Sequence, residues 1–277
     1  MRRVQLFEFN DHPRAPEALR ELIIESLSRT LEWGRMLEGL VPEFTRFVER
    51  AGVDEVLDLG AGAGGPAKVL VEAMVRQGVR VPRFVLSDLS PHVEPWERLA
   101  RRWPEQIGYV PESVDATAIA PEVAQGRARL LINVLHHLPP EVARGVFADA
   151  VAQRSPIFVS EAFGREPSQF LLNFPWWGVA SLLSGPLLTR RHRLQKAALA
   201  WGAPGLTMAV SAWDGLVSTM RVYEEAELRE MVASIPGAES FRWEFGRYRY
   251  PPMGRGLYFC GVPRQGAHRG RGRGHTK

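Results

Sequence analysis

Glu55-Val56-Leu57-Asp58-Leu59-Gly60-Ala61-Gly62-Ala63-Gly64-Gly65-Pro66 decides the fold. An apolar run of strand length stops at a cluster of glycines. Pro66 then opens a helical pattern that ends before Gly78. A short, continuous apolar run is how a buried parallel strand reads. Glycines after it let the backbone take left-handed conformations and approach a ligand closely. The helix that follows presents unpaired N–H groups and the positive end of its dipole. Arg83-Phe84-Val85-Leu86-Ser87 is the next strand, so the stretch from Val56 to Ser87 has the length of one βαβ crossover.

The same alternation extends in both directions. Upstream, residues 15–51 are helical: Leu19, Leu22, Ile23, Leu27 and Leu31 share one face, Phe44, Phe47, Val48 and Ala51 another, and Pro42 suits a first turn. Downstream, strands are expected at 107–110, 129–134 and 156–160, with a helix over 140–153. This predicts an α/β, Rossmann-like, doubly wound and mostly parallel sheet with helices on both faces. The ending differs. Residues 241–245 and 256–260 are strand-like, and the turn-rich connector 249–255 leaves no room for a helix. An antiparallel hairpin at the sheet edge follows.

Two cofactors fit the glycine turn. Gly60, Gly62 and Gly65 satisfy the dinucleotide spacing G-x-G-x-x-G, and Asp88 lies 23 residues beyond Gly65, where an acid binds a ribose. Asp58, two residues before Gly60, points the other way. A carboxylate there suits a ligand carrying a sulfonium and an ammonium group, and it repels a pyrophosphate.

The spacing acid-x-Gly-x-Gly-x-Gly formed by Asp58, Gly60, Gly62 and Gly64 resembles motif I of the class I S-adenosylmethionine-dependent methyltransferases. The resemblance covers residues 50–162 closely and 225–263 loosely. It implies a seven-stranded sheet with the antiparallel ending. It also implies a cofactor held by Asp58, Gly60, Ala61 and Gly62. Asp88 would take the ribose hydroxyls, and Leu89 would lie against the adenine. Asp115, with Ala116 beside it, would receive the adenine amino group. The backbone of Asn133 and Val134 would pass under the sulfonium. Trp213-Asp214-Gly215-Leu216-Val217-Ser218 and Phe7-Glu8-Phe9-Asn10-Asp11-His12-Pro13 resemble a bacterial subgroup of unestablished substrate, although its Trp-Phe-Pro stretch is not kept.

Transfer of an electrophilic methyl from a sulfonium to an acceptor needs alignment above all, and a base only when the acceptor must lose a proton. His136, His137, His12 and Asp11 are the candidate bases, the first two being the catalytic assignment. No metal is expected: there is no H-E-x-x-H and one cysteine, Cys260. Asp214 and Arg221 read as a structural pair anchoring a cap.

The expected organisation is a helical segment 1–50, a cofactor-binding core 51–162, an apolar helical cap 163–222, the rest of the core 223–263 and a disordered Arg/Gly tail 264–277. Residues 170–188 carry no charge, and Arg190, Arg191 and Arg193 follow. The run reads as a lid over an apolar acceptor pocket, as a core or dimer contact, or through 170–193 as a peripheral membrane contact. The formal charge of the 277 residues is +4, but five cations crowd the tail and leave the body near −1. Nucleic acid is therefore not an expected partner. The cysteine count and the absence of an apolar leader fit the cytoplasm. The function so read is methyl transfer from S-adenosylmethionine to a small, partly apolar acceptor. An NAD-dependent oxidoreductase and a non-catalytic adaptor at membrane or RNA are the alternatives.

Overall fold

The computed structural model describes residues 3–10, 12, 14–168, 170, 174–189 and 191–264. Asp11, Arg190 and the tail from 265 onward lie outside them. A single sheet of seven strands organises the chain: β1 (Glu55–Leu59), β2 (Arg83–Ser87), β3 (Ile107–Tyr109), β4 (Arg127–Ile132), β5 (Ile157–Glu161), β6 (Phe241–Tyr250) and β7 (Gly254–Pro263). Their spatial order is β3-β2-β1-β4-β5-β7-β6. The first five strands are parallel, and β7 runs antiparallel to both β5 and β6.

The strands alternate their side chains between two apolar layers, as period-two geometry requires. Val56, Phe84, Leu130, Phe158 and Cys260 face α2 (Val41–Ala51), α3 (Gly65–Arg76) and α4 (Val93–Arg102). Leu57, Val85, Leu131, Val159 and Phe259 face α6 (Pro140–Ala152) and α10 (Glu225–Ala233). Helices thus cover both faces, the doubly wound arrangement expected from the alternation. The short α5 (Pro121–Ala124) precedes β4.

The fourth strand and both hairpin strands differ in extent from expectation. The fourth spans Arg127–Ile132 rather than 129–134. Its charged residues are strand members because each has a partner: Arg127 reaches Glu55 at 2.8 Å and the buried Arg129 reaches Asp149 at 2.6 Å. Asn133 has already left the strand, with φ of 56°. The hairpin strands are twice as long as expected, paired down to Tyr250 opposite Gly254. Gly254 read as part of the turn and Gly256 as the start of the strand, and both lie beneath tyrosine rings. A Cβ on Gly254 would sit 1.9 Å from Tyr250, and one on Gly256 2.2 Å from Tyr248.

The helical cap is present. Residues 163–222 hold α7 (Val179–Leu188), α8 (Arg193–Ala197) and α9 (Pro204–Arg221). The ends of the insertion are joined, Arg165 Nε donating to the Val222 carbonyl at 2.8 Å. The cap packs on α1 (Glu17–Trp33), where Gly185 lets α7 approach: a Cβ there would meet Leu22 at 2.4 Å. Lys196 of α8 is fully buried and pairs with Glu21 at 2.9 Å and Glu25 at 2.8 Å of α1. Among the described residues no helix is long and apolar enough to cross a membrane.

Candidate functional site

In an open parallel sheet, ligands sit beyond the carboxyl ends of the strands, where the strand order reverses. Here the reversal lies between β1 and β4. The loops leaving β1, β2, β4 and β5 there enclose a cavity of about 620 Å³. Gly60, Ala61, Gly62, Asp88, Leu89, Asp115, Ala116, Asn133, Val134, His136 and His137 all line it. Residues spread over 78 positions of the sequence thus meet at one place.

The glycine turn owes its shape to positive φ at Gly60 (72°), Gly62 (52°) and Gly64 (81°). Only glycine adopts such values without cost. Close packing adds a second constraint at two of them. A Cβ on Gly60 would lie 2.9 Å from Val134, and one on Gly64 would lie 2.5 Å from Leu99. Gly62 is different: no protein atom lies within 4 Å of where its Cβ would be, so its bare backbone faces open space on the cavity wall. The buried Trp96 secures the turn by donating Nε1–H to the Gly62 carbonyl at 2.7 Å.

Asp88 accepts from Gly62 N–H at 2.9 Å through Oδ2 and from Ser90 N–H at 2.9 Å through Oδ1. Both bonds orient the carboxylate on the cavity wall. Asp115 closes a local turn, Oδ1 accepting from the backbone N–H and the hydroxyl of Thr117 at 2.8 and 2.7 Å. Those bonds hold its carboxyl below the usual range. The Asn133 side chain bonds within the protein. Its Oδ1 accepts from Ala162 N–H at 2.7 Å, tying the exits of β4 and β5 together. Asparagine tolerates the left-handed backbone that this needs.

Asp58 does not line the cavity. It is buried behind the turn, and its Oδ2 has no hydrogen-bonding partner. Burial, with a smaller contribution from the charge on Asp88, pushes its pKa up to about 8. A buried carboxylate oxygen without a partner carries a desolvation cost.

His136 and His137 occupy a short 3₁₀ turn, Leu135–His137, after β4. Glu161 at the end of β5 holds the buried His136 twice, through the backbone N–H at 3.0 Å and through ring Nδ1 at 2.8 Å. His137 is half-buried, with Nδ1 3.7 Å from the fully buried Glu8. The two rings are 4.0 Å apart. His12 and Asp11 are not among the cavity residues, Asp11 lying outside the described ones.

The segment 3–10 was not expected at the site. It crosses the 3₁₀ turn and α9 as a strap. Arg3 donates to the carbonyls of His136 and Leu138 at 3.2 and 3.1 Å. Asp214 accepts from Phe9 N–H at 2.7 Å and Asn10 N–H at 3.0 Å, and Arg221 meets Glu8 at 3.0 Å. Asp214 and Arg221, expected as a structural pair anchoring the cap, tie the cap helix α9 to Leu6, Glu8, Phe9 and Asn10 of the N-terminal segment. The far half of the cavity is apolar, with Leu27, Met36, Phe163, Phe170 and Trp177 on its wall. Two buried polar atoms there have no protein partner, Trp177 Nε1 and Asn10 Oδ1. Sequence reasoning missed both.

No family model matches the chain, and no curated protein matches it. Solved structures do. The methyltransferase domain of bacterial CtHen1 is 12% identical, covering 82% of this chain and 99% of its own, with a TM-score of 0.48. The plantazolicin methyltransferase BpumL, solved with SAH, is 9% identical over 90% of this chain and 98% of its own, with a TM-score of 0.49. The O-methyltransferase NcsB1 from neocarzinostatin biosynthesis, solved with S-adenosylmethionine and a naphthoic acid, is 15% identical over 90% and 59%, with a TM-score of 0.47. The sheet order with its antiparallel last pair is the arrangement implied by the sequence's resemblance to class I methyltransferases.

Proposed function

We propose that the chain transfers a methyl group from S-adenosylmethionine to a small acceptor with an apolar body and a polar handle. One observation carries the reading: a single cavity runs from the glycine turn to an aromatic wall, and His136 and His137 border it too. The residues present fit the cofactor. Asp58, buried behind the turn with its Oδ2 unpartnered, would set a carboxyl close to a cationic ligand without lining the cavity, and the open face of Gly62 leaves room for one. Asp88 would accept from the ribose hydroxyls. Leu89 and Ala116 would flank the adenine, with Asp115 taking its amino group. Bound there, the cofactor supplies a methyl group already electrophilic on a positive sulfur.

The chain does the rest. The backbone of Asn133 and Val134, pinned by the Asn133–Ala162 bond, sets the floor between the two halves. Leu27, Phe163, Phe170 and Trp177 exclude water and hold the acceptor's apolar body, and alignment of this kind supplies much of the rate of a displacement. Trp177 Nε1 and Asn10 Oδ1 offer one donor and one acceptor to its polar handle. His136 and His137 are the groups placed to deal with the acceptor's proton. Calorimetric titration with S-adenosylmethionine, S-adenosylhomocysteine and NADH tests the reading, with Asp88→Ala as the variant. The first two should bind, with affinity at least tenfold weaker in the variant. Binding of NADH alone would favour an oxidoreductase, and binding of none would favour the adaptor.

A further inference from the structure

Glu8, His136 and His137 each offer a ligand atom, and these atoms all lie within 4.8 Å of one another. We propose that the three residues form a binding site for a divalent first-row metal ion, zinc or manganese, on the wall of the acceptor cavity. Two imidazoles and one carboxylate are a ligand set such ions accept, leaving further coordination positions for water or substrate. The sequence conceals it because Glu8 stands 128 residues before His136, outside any metal-ligand spacing.

The surroundings are those of a built site. Metal-binding histidines commonly direct their second ring nitrogen to a carboxylate, which fixes the tautomer and the ring. His136 does this with Glu161 at 2.8 Å, and both residues are buried. The Glu8 carboxylate is also oriented. Ser218 donates to Oε1 at 2.8 Å and Arg221 lies 3.0 Å from the same oxygen, while Oε2 is the oxygen 3.7 Å from His137 Nδ1. Ligand atoms on a tetrahedral ion with bonds of ~2.1 Å stand roughly 3.4 Å apart. Atoms of the trio that stand up to 4.8 Å apart must therefore close by as much as about 1.4 Å. His137 can supply that movement, since its side chain is 31% exposed while those of Glu8 and His136 are at most 3% exposed.

His136 and His137 line the acceptor cavity, so an ion held by them would present its remaining positions there. An acceptor hydroxyl bound to the ion would have its acidity raised, which is a route to proton loss without a free base. That role rests on the methyl-transfer reading. Metal binding itself does not.

Untagged full-length protein, stripped by chelator and dialysed, would be titrated with zinc chloride against a chromophoric chelator. Manganese binding would be followed by electron paramagnetic resonance. His137→Ala changes a half-exposed side chain and should leave the fold intact by circular dichroism. His192→Ala is the control, because Glu17, Glu21 and His192 form a second, surface trio. The expected result is one ion per chain in the native protein and in His192→Ala. His137→Ala should weaken binding about a hundredfold or more, and Glu161→Gln about 10- to 100-fold. Absence of stoichiometric binding, or binding that survives His137→Ala, would overturn the proposal, as would loss in His192→Ala. Titration with S-adenosylhomocysteine on the metal-free protein reports separately on the cofactor, so failure of one reading does not mimic failure of the other.

Discussion

Asp58 is the side chain with most at stake. Its folded-state pKa is raised from 3.8 to about 8, first by burial and then by Asp88. Between those values the folded state keeps a proton that the unfolded chain releases, so its contribution to stability falls as pH rises through the window. Asp58→Asn removes that dependence, at some cost for burying an amide, and should stabilise the ligand-free protein at pH 7 by about 1–3 kcal/mol. Urea unfolding at pH 5 and pH 8 checks this: the advantage of the variant should grow with pH, and an equal difference at both values would sink it. The same substitution should weaken S-adenosylhomocysteine binding, since the ammonium loses its counter-charge. A cation favours the ionised carboxyl, so binding near neutral pH should release a proton. Calorimetry in two buffers of different ionisation enthalpy measures the release, which should vanish in Asp58→Asn. Gly60→Ala tests the turn. Its left-handed backbone costs about 1–2 kcal/mol with a Cβ, and the 2.9 Å approach to Val134 must also give. Affinity for the cofactor should drop about tenfold or more.

Among the elements, those of the sheet were the most legible. The apolar runs at Val56 and Phe84 are buried on both faces, and such strands show as continuous hydrophobic segments. Arg127 hid the start of β4, because a charge at the edge of a run reads as loop until its partner Glu55 is known. Gly254 hid part of the hairpin's length, because its reason is Tyr250 across the strand pair. The cap was legible only as apolar and helical. Its seating on α1 depends on the buried Lys196, which no periodicity announces. Removing one partner of a buried ion pair costs up to about 3–5 kcal/mol. The partly exposed Glu21 and Glu25 reduce this, so Lys196→Ala should cost about 1–3 kcal/mol. Hydrogen exchange should quicken in α7 and α8 while α3 and α6 stay protected. Uniform loss of protection would mean that the cap and core unfold as one.

Across the whole molecule, the two proposed halves of the cavity, for nucleotide and for acceptor, come from different kinds of information. The first is local. The turn from Gly60 to Gly64, Asp88 and Asp115 follow strand ends in order, and the resemblance to class I methyltransferases implied Asp115 as a member of the set. The second is assembled from residues far apart: Asn10 from the strap, Leu27 from α1, Phe170 and Trp177 from the insertion. Only the folded chain brings them together, which is why the histidines were legible as candidates and their partner Glu8 was not. The central claim is that the crevice between β1 and β4 holds S-adenosylmethionine. A crystal structure of the protein grown with S-adenosylhomocysteine tests it most directly. The account predicts the ribose on Asp88, the adenine between Leu89 and Ala116 with its amino group at Asp115, and the amino-acid end at the turn before which Asp58 lies buried. A ligand bound elsewhere, or a crevice still empty at saturating concentration, would contradict it.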